Sequence, residues 1–302
     1  MDGILPLWKP KGMTSHDCVF KIRKMLKMKK VGHTGTLDPD VTGVLPICLG
    51  KATKVAEYIT NAGKEYEGEV TLGYSTTTED ASGEKVDEVP ICKTINRNQI
   101  LDVLQSFRGE ISQTPPMYSA VKVNGKRLYE YARKGIEVER PTRVVTIYEI
   151  ELLDDRKVFS GNTISFRFRV KCSKGTYIRT LAVSIGEKLG FPAHMSDLTR
   201  TSSGSFTKEN CLTFSDIETR LSENTLKDVI FPLDRGVSHL PKYVINDTLA
   251  EKVNNGAVLE KEEWWTFGEE EVVFIHQNQV KAIYKIHPEK PHLIKPVKVL
   301  NN

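Results

Sequence analysis

One segment of the chain concentrates residues that can do chemistry: Gly32-His-Thr-Gly-Thr-Leu-Asp-Pro-Asp-Val-Thr-Gly-Val-Leu-Pro46. Glycines, prolines and threonines at this density mark a structured loop. Asp38 precedes Pro39, which biases the aspartate backbone to an extended conformation. Its carboxylate, with a free-peptide pKa of about 3.9, is ionised at neutral pH and can serve as nucleophile or base. The same residues also suit a turn that uses Asp and Gly for their backbone preferences alone. A phosphate-binding P-loop is excluded. The nearest match, residues 45–52, has Leu45 where the first glycine should stand and Ala52 where Ser or Thr is needed.

Metal and redox chemistry find little support. The cysteines (Cys18, Cys48, Cys92, Cys172, Cys211) are odd in number and contain no C-x-x-C pair, and the histidines show no H-E-x-x-H spacing. No metal and no cofactor are expected.

The elements that must position Asp38 can be read from periodicity. Thr14-Ser-His-Asp17 has the form of a helix start. Val19, Ile22 and Leu26 then recur at helical spacing, predicting an amphipathic helix over 15–28. Further helices are expected at 97–107, 127–134 and 176–189, the last stopped by Gly190 and Pro192. Strands are expected at 66–74, 144–152 and 164–171. Helices and strands do not alternate regularly, so the reading is α+β with a largely antiparallel sheet. Near Ser238 the texture changes to short β-rich pieces around one helix at 247–254. The expected domains are therefore 1–238 and 239–302.

The 302 residues include 39% hydrophobic and 27% charged side chains, enough apolar material for a core and too little net charge for disorder. No apolar run is long enough for a transmembrane helix, and the amino terminus lacks a secretory pattern, so a cytoplasmic protein is expected.

The net charge of +4 hides an asymmetry. Residues 21–30 hold six basic side chains and no acid. The strand Thr163-Ile-Ser-Phe-Arg-Phe-Arg-Val-Lys-Cys172 turns Arg167, Arg169 and Lys171 to one face. Between Tyr118 and Arg143, seven cations interleave with Tyr129 and Tyr131. Cations for phosphates with aromatic faces for bases suit an RNA partner.

The stretch from Gly32 to Leu45, with its Gly-His-Thr-Gly-Thr-Leu-Asp-Pro core, closely resembles the catalytic motif of the TruB family, the bacterial tRNA pseudouridine-55 synthases. Further blocks stand in the family's order: Lys9-Pro10-Lys11-Gly12-Met13-Thr14-Ser15, Lys64-Glu65-Tyr66, residues 77–83 with Asp80, Pro115-Pro116-Met117-Tyr118, Lys174-Gly175-Thr176-Tyr177-Ile178-Arg179 and Leu198-Thr199-Arg200. The tail resembles the family's small PUA β-barrel far less specifically, and its eight lysines, nine acids and no arginine from residue 240 onward argue against strong RNA binding there.

The resemblance implies a pseudouridine synthase fold and isomerisation of one T-loop uridine of tRNA to pseudouridine, without a cofactor. It implies that Asp38 is the nucleophile, that Arg179 pairs with it, and that Tyr66 lies against the base and takes the C5 proton. Tyr177 and Leu198 become pocket walls. His33 fills the space left by a flipped base, and Lys9 and Asp80 join the substrate-binding set. The implied partner is the T arm and elbow of tRNA, gripped by the basic helix, the cationic strand and the 118–143 block. The chain is expected to act as a monomer with no obligatory protein partner. A non-catalytic tRNA-binding or RNA-folding protein using the same surface is the alternative, and an RNA-guided synthase that needs protein partners is a more distant one.

Overall fold

A computed structural model describes residues 1–268 and 270–300. In chain order, β1 (Gly3–Lys9) leads to α1 (Ser15–Leu26), β2 (Val31–His33) and β3 (Thr42–Leu49), followed by β4 (Lys64–Leu72). Then come α2 (Arg97–Gln105), β5 (Gly109–Gln113), β6 (Arg143–Leu152), β7 (Ile164–Cys172), α3 (Ile178–Leu189), β8 (Ala193–Ser203) and β9 (Phe206–Thr207). These nine strands form one sheet in the order β1-β3-β8-β4-β7-β6-β5, with β2 added to β3 and β9 to β8. All its pairings are antiparallel except β3 with β8. The α+β reading with a largely antiparallel sheet therefore holds.

Local chemistry sets the element ends. Thr14 caps α1 by accepting from the Asp17 amide, and Asp17 reaches back to Thr14. Lys27, in the left-handed region at φ 51°, ends the helix earlier than periodicity predicts. Gly190 at φ 85° ends α3 in the same way. The alternating apolar residues Phe166, Phe168 and Val170 of β7 face a core shared with Val70, Leu181 and Ile185.

The cationic face of β7 differs from expectation. Arg169 lies opposite Glu67 of β4 and Glu151 of β6, with ion pairs of 2.7 and 2.6 Å. Lys171 pairs with Glu149 and Arg167 with Asp197, both at 3.8 Å. Cross-strand acids thus partner the stripe, which is not the unpaired cationic face that the alternation alone predicts. Strand alternation reveals which face a side chain takes, but not its neighbours across the sheet.

The C-terminal segment forms β10 (Lys242–Val244), α4 (Asp247–Asn254), β11 (Leu259–Glu260), β12 (Val272–His276), β13 (Gln279–Ile286) and β14 (Leu293–Val299). Its sheet has the order β10-β12-β13-β14-β11. The end strands β10 and β11 do not pair with each other among the described residues, so the expected barrel is a half-barrel. Val273, Val280, Ile283 and Leu300 share one apolar cluster with Ile4, Val44, Cys48, Val55 and Val237. The change of texture near Ser238 separates two sheets but runs through a common core.

Candidate active site

Asp38 sits in the loop between β2 and β3, which the amino-terminal block holds from behind. Ser15, at the start of α1, accepts from the Leu37 amide at 2.8 Å through Oγ. The Gly12 amide donates to the Pro39 carbonyl at 2.8 Å, and Lys9 Nζ donates to the same oxygen at 3.0 Å. Lys9 is wholly buried, and burial lowers its pKa. It is absent from the cleft lining, so its place in the structure is that of a loop clamp rather than a contact surface for a ligand.

Arg179, in the first turn of α3, is 5% exposed. Its Nε lies 3.1 Å from Asp38 Oδ2 and its Nη1 3.8 Å from Asp80 Oδ2. The remaining donors reach the carbonyls of Thr78 at 3.1 Å and Tyr118 at 2.8 Å. Asp80 in turn accepts from Thr78 Oγ1 and Ser82 Oγ, each at 2.6 Å. The guanidinium is thereby held between two carboxylates and two loops, with its direction set.

Burial pushes the Asp38 carboxyl above the ordinary carboxylate range, with Asp80 adding to the rise; Arg179 and Lys9 pull the other way. The arginine limits the rise rather than reversing it. The carboxyl stays open to the cleft, with 38% of its side chain accessible. Such a group can be presented to an electrophile with little rearrangement.

Asp38, Tyr66, Arg179, Tyr177 and Leu198 line one cavity of about 280 Å³, together with Leu37, Lys64 and Arg200. A second cavity of about 540 Å³ adjoins it, sharing Asp38, Arg179 and Leu198 and adding Asp80, Tyr118, Tyr129 and Arg133. These volumes suit a small planar group entering from a larger groove. Leu198 faces Gly68 across β8 and β4, where a Cβ on residue 68 would lie 3.2 Å from the leucine Cδ1. Tyr177 has both backbone groups held by the buried Gln113 side chain, at 2.9 and 3.1 Å. His33 lies on β2, absent from the lining of either cavity, with Nδ1 unpartnered. Burial lowers its pKa and so favours the neutral ring.

Sequence reasoning missed three members of this arrangement. Lys64 is buried, donates to the Thr60 and Ala62 carbonyls, and is pushed down to about 8 by burial. Gln113 carries no signal beyond an edge-strand position. Arg200 stands in a motif block, yet nothing in the sequence marks it as fully buried. Gly43, at φ 119°, lets β3 lie against Arg200, since a Cβ there would collide with the arginine carbonyl oxygen.

The N-terminal domain of the TruB family pseudouridylate synthases matches residues 23–178, and the tRNA pseudouridylate synthase B C-terminal domain matches 179–238. Their junction falls at the start of α3, between Ile178 and Arg179. The chain is 59% identical over 300 residues to tRNA pseudouridine synthase B of Geobacillus thermodenitrificans, covering 99% of each. It is 58% identical over 302 residues to that of Bacillus cytotoxicus, covering 100% of this chain and 98% of the relative. Among solved structures, a Cbf5-Nop10-Gar1 complex aligns with a TM-score of 0.75 at 31% identity, covering 99% of this chain and 84% of that one. An H/ACA RNP bound to a substrate RNA containing 2′-deoxyuridine aligns at 0.73 and 28% identity, covering 99% and 85%. The domain matches span the loop, strands and helix that build the cleft, and the relatives match from end to end: the chain belongs to the TruB family of pseudouridylate synthases.

Proposed function

We propose that this isomerase of tRNA converts uridine-55 of the T loop to pseudouridine, with the base flipped into the smaller cavity and Asp38 as nucleophile. The observation that carries the reading is the Asp38–Arg179 pair, 3.1 Å apart, opening into a cavity that Tyr66 also lines. The reaction breaks the bond from ribose C1′ to N1 and makes one from C1′ to C5. Asp38 holds the ribose or the uracil meanwhile. Once C5 carries both sugar and hydrogen, Tyr66 Oη takes the C5 proton. The C–H electron pair closes C5=C6. Where Asp38 held ribose C1′, its bond broke when C5 took that carbon, and the C6=N1 pair now moves to N1, which takes a proton from solvent; where Asp38 held uracil C6, closure of C5=C6 expels the carboxylate. Oxidation states balance and no cofactor is called for.

A flipped base leaves a gap in its stack, at a cost of a few kcal/mol. His33, kept neutral by burial, suits stacking in that gap. Arg23, Lys24, Lys27, Lys29 and Lys30 on and after α1 are exposed, as are Lys122, Lys126, Arg127 and Lys134. These groups, rather than β7, supply contacts to the phosphates of the T arm and elbow. The half-barrel fills the place of a PUA-like module with a supporting role, and domains of 1–238 and 239–302 act together in a monomer that works in the cytoplasm.

The test is tritium release from tRNA labelled at uridine C5. Asp38→Ala should abolish release while tRNA affinity stays within a few-fold, because phosphate contacts dominate binding. Multiple turnover by purified Asp38→Ala protein would overturn the assignment.

A further inference from the structure

Arg200 is the largest fully buried side chain among the described residues, at 0% exposure. Its Nε donates to the Val44 carbonyl at 2.7 Å and one Nη to the Gly35 carbonyl at 3.3 Å. The other nitrogen, Nη1, has no hydrogen-bond partner, and no carboxylate lies within ion-pair distance among the described residues. Arg179 has two such carboxylates, so the arginines of the cleft are built differently. A buried guanidinium without a counter-ion carries a standing desolvation cost, and so marks a place where an anion is to be met.

The sheet identifies that anion. Arg200 on β8 is the direct cross-strand neighbour of Tyr66 on β4, and both side chains line the cavity that holds Asp38. The β8–β4 register is irregular just after Arg200, the kind of local defect that re-aims a side chain beside an active site. We propose that Arg200 is a positioning residue for Tyr66, serving as counter-ion to the phenol oxygen when that oxygen is negatively charged and ready to take the C5 proton. This inference rests on the reading of Tyr66 as proton acceptor.

The surrounding groups give the arginine this task. Burial pushes the Tyr66 hydroxyl up, and Cys172 of β7 and Asp38 of the loop push it further; Arg200 opposes them. Lys64 of β4, Tyr177 and Arg179 of the α3 end line the same cavity. A neutral phenol is a poor base, and the Arg200 guanidinium, tied to two carbonyls but without a carboxylate among the described residues, is the cation placed to favour its ionised form.

The experiment measures single-turnover pseudouridine formation, with enzyme in excess, from mildly acid to mildly alkaline pH. Arg200→Gln should slow the step by about 10²-fold at neutral pH, the scale of losing a working general base. Its rising limb should move to higher pH, and Arg200→Lys should restore most of the rate by keeping the charge. In a Tyr66→Phe background, Arg200→Gln should cost nothing further. Additive losses with weakened tRNA binding would mean that Arg200 acts on the base directly, and would overturn the proposal. A wild-type rate for Tyr66→Phe beside a slow Arg200→Gln would instead remove the proton-acceptor reading. Because Arg200 also ties β3 to the Asp38 loop, each variant is melted as well. If Arg200→Gln fails to fold, the tyrosinate absorbance titration of Arg200→Lys, differenced against its Tyr66→Phe partner, must place the Tyr66 midpoint in step with the rate; a restored rate with a raised midpoint, or a lost rate with the wild-type midpoint, overturns the idea.

Discussion

Around the cleft, the buried positions include Lys9, Ser15, Lys64, Gln113, Arg179 and Arg200. In the C-terminal half-barrel they are Trp265, Val272, Phe274, Ala282 and Tyr284, with Phe274 and Tyr284 stacked at 4.6 Å. Both regions exclude water, but to different ends. Each charged or polar group taken out of water at the cleft costs stability unless partnered, and what it gains is a fixed direction. The half-barrel gains stability from apolar area and dispersion, with few directional demands. Substitutions at the cleft should therefore act mainly on rate, and those in the half-barrel mainly on stability.

The largest effect expected from breaking that contrast is at Arg179. Arg179→Met removes the main attraction holding Asp38 below the value its burial would impose. The Asp38 pKa then rises further, so the carboxylate is lost at a higher pH. The acid limb of the single-turnover rate should shift upward in pH, with a neutral-pH loss of about 10²–10³-fold, the range for removing a preorganised charge. An unshifted limb would mean that Asp38 does not titrate in the reaction.

Next in size is Gln113→Leu, which keeps the volume but frees both backbone groups of Tyr177. The rate should fall by about 10-fold to 10²-fold through misplacement of the α3 start. Stopped-time product assays at saturating enzyme measure it directly. A full-rate variant would make the clamp a matter of folding alone.

Ile283→Ala probes the opposite side of the comparison. It hollows the cluster shared by the half-barrel and the β1–β3 side of the main sheet. Unfolding in urea should show a loss of about 2–5 kcal/mol, while the single-turnover rate at a temperature where the variant is folded stays within two-fold, roughly. A slowed chemical step at full folding would tie the half-barrel to the cleft itself.

The smallest effect concerns salt. Lys24→Gln and Lys27→Gln should each lower the slope of log binding constant against log salt by about 0.9 for every phosphate left without its cation. Lys290→Gln, exposed on the half-barrel, should leave the slope unchanged. A lowered slope at Lys290 would return RNA binding to the tail.

Much of this was legible in the residues. Thr14 and Asp17 made a cap, Gly190 ended α3, and the alternation of β7 chose its core face, because each depends on neighbours within a few positions. Asp38 stood out through the loop around it, and Arg179, Tyr66, Tyr177 and Leu198 through resemblance; all five meet at one cavity. What a residue pairs with across the sheet was not legible. Arg167, Arg169 and Lys171 read as an open cationic stripe, but β4, β6 and β8 supply acids to all three.

The sequence by itself determined the element types, the α+β class, the chemical loop and the family, since these rest on local propensity and ordered motifs. Tertiary structure alone decided that Lys9 clamps a loop from behind, that the C-terminal sheet stays open and shares a core with β1 and β3, and that Arg179 has carboxylate partners while Arg200 has none among the described residues. Burial and ion pairing depend on groups far apart in the chain, 141 positions in the case of Asp38 and Arg179. Register and packing bring such groups together, and no local pattern records them.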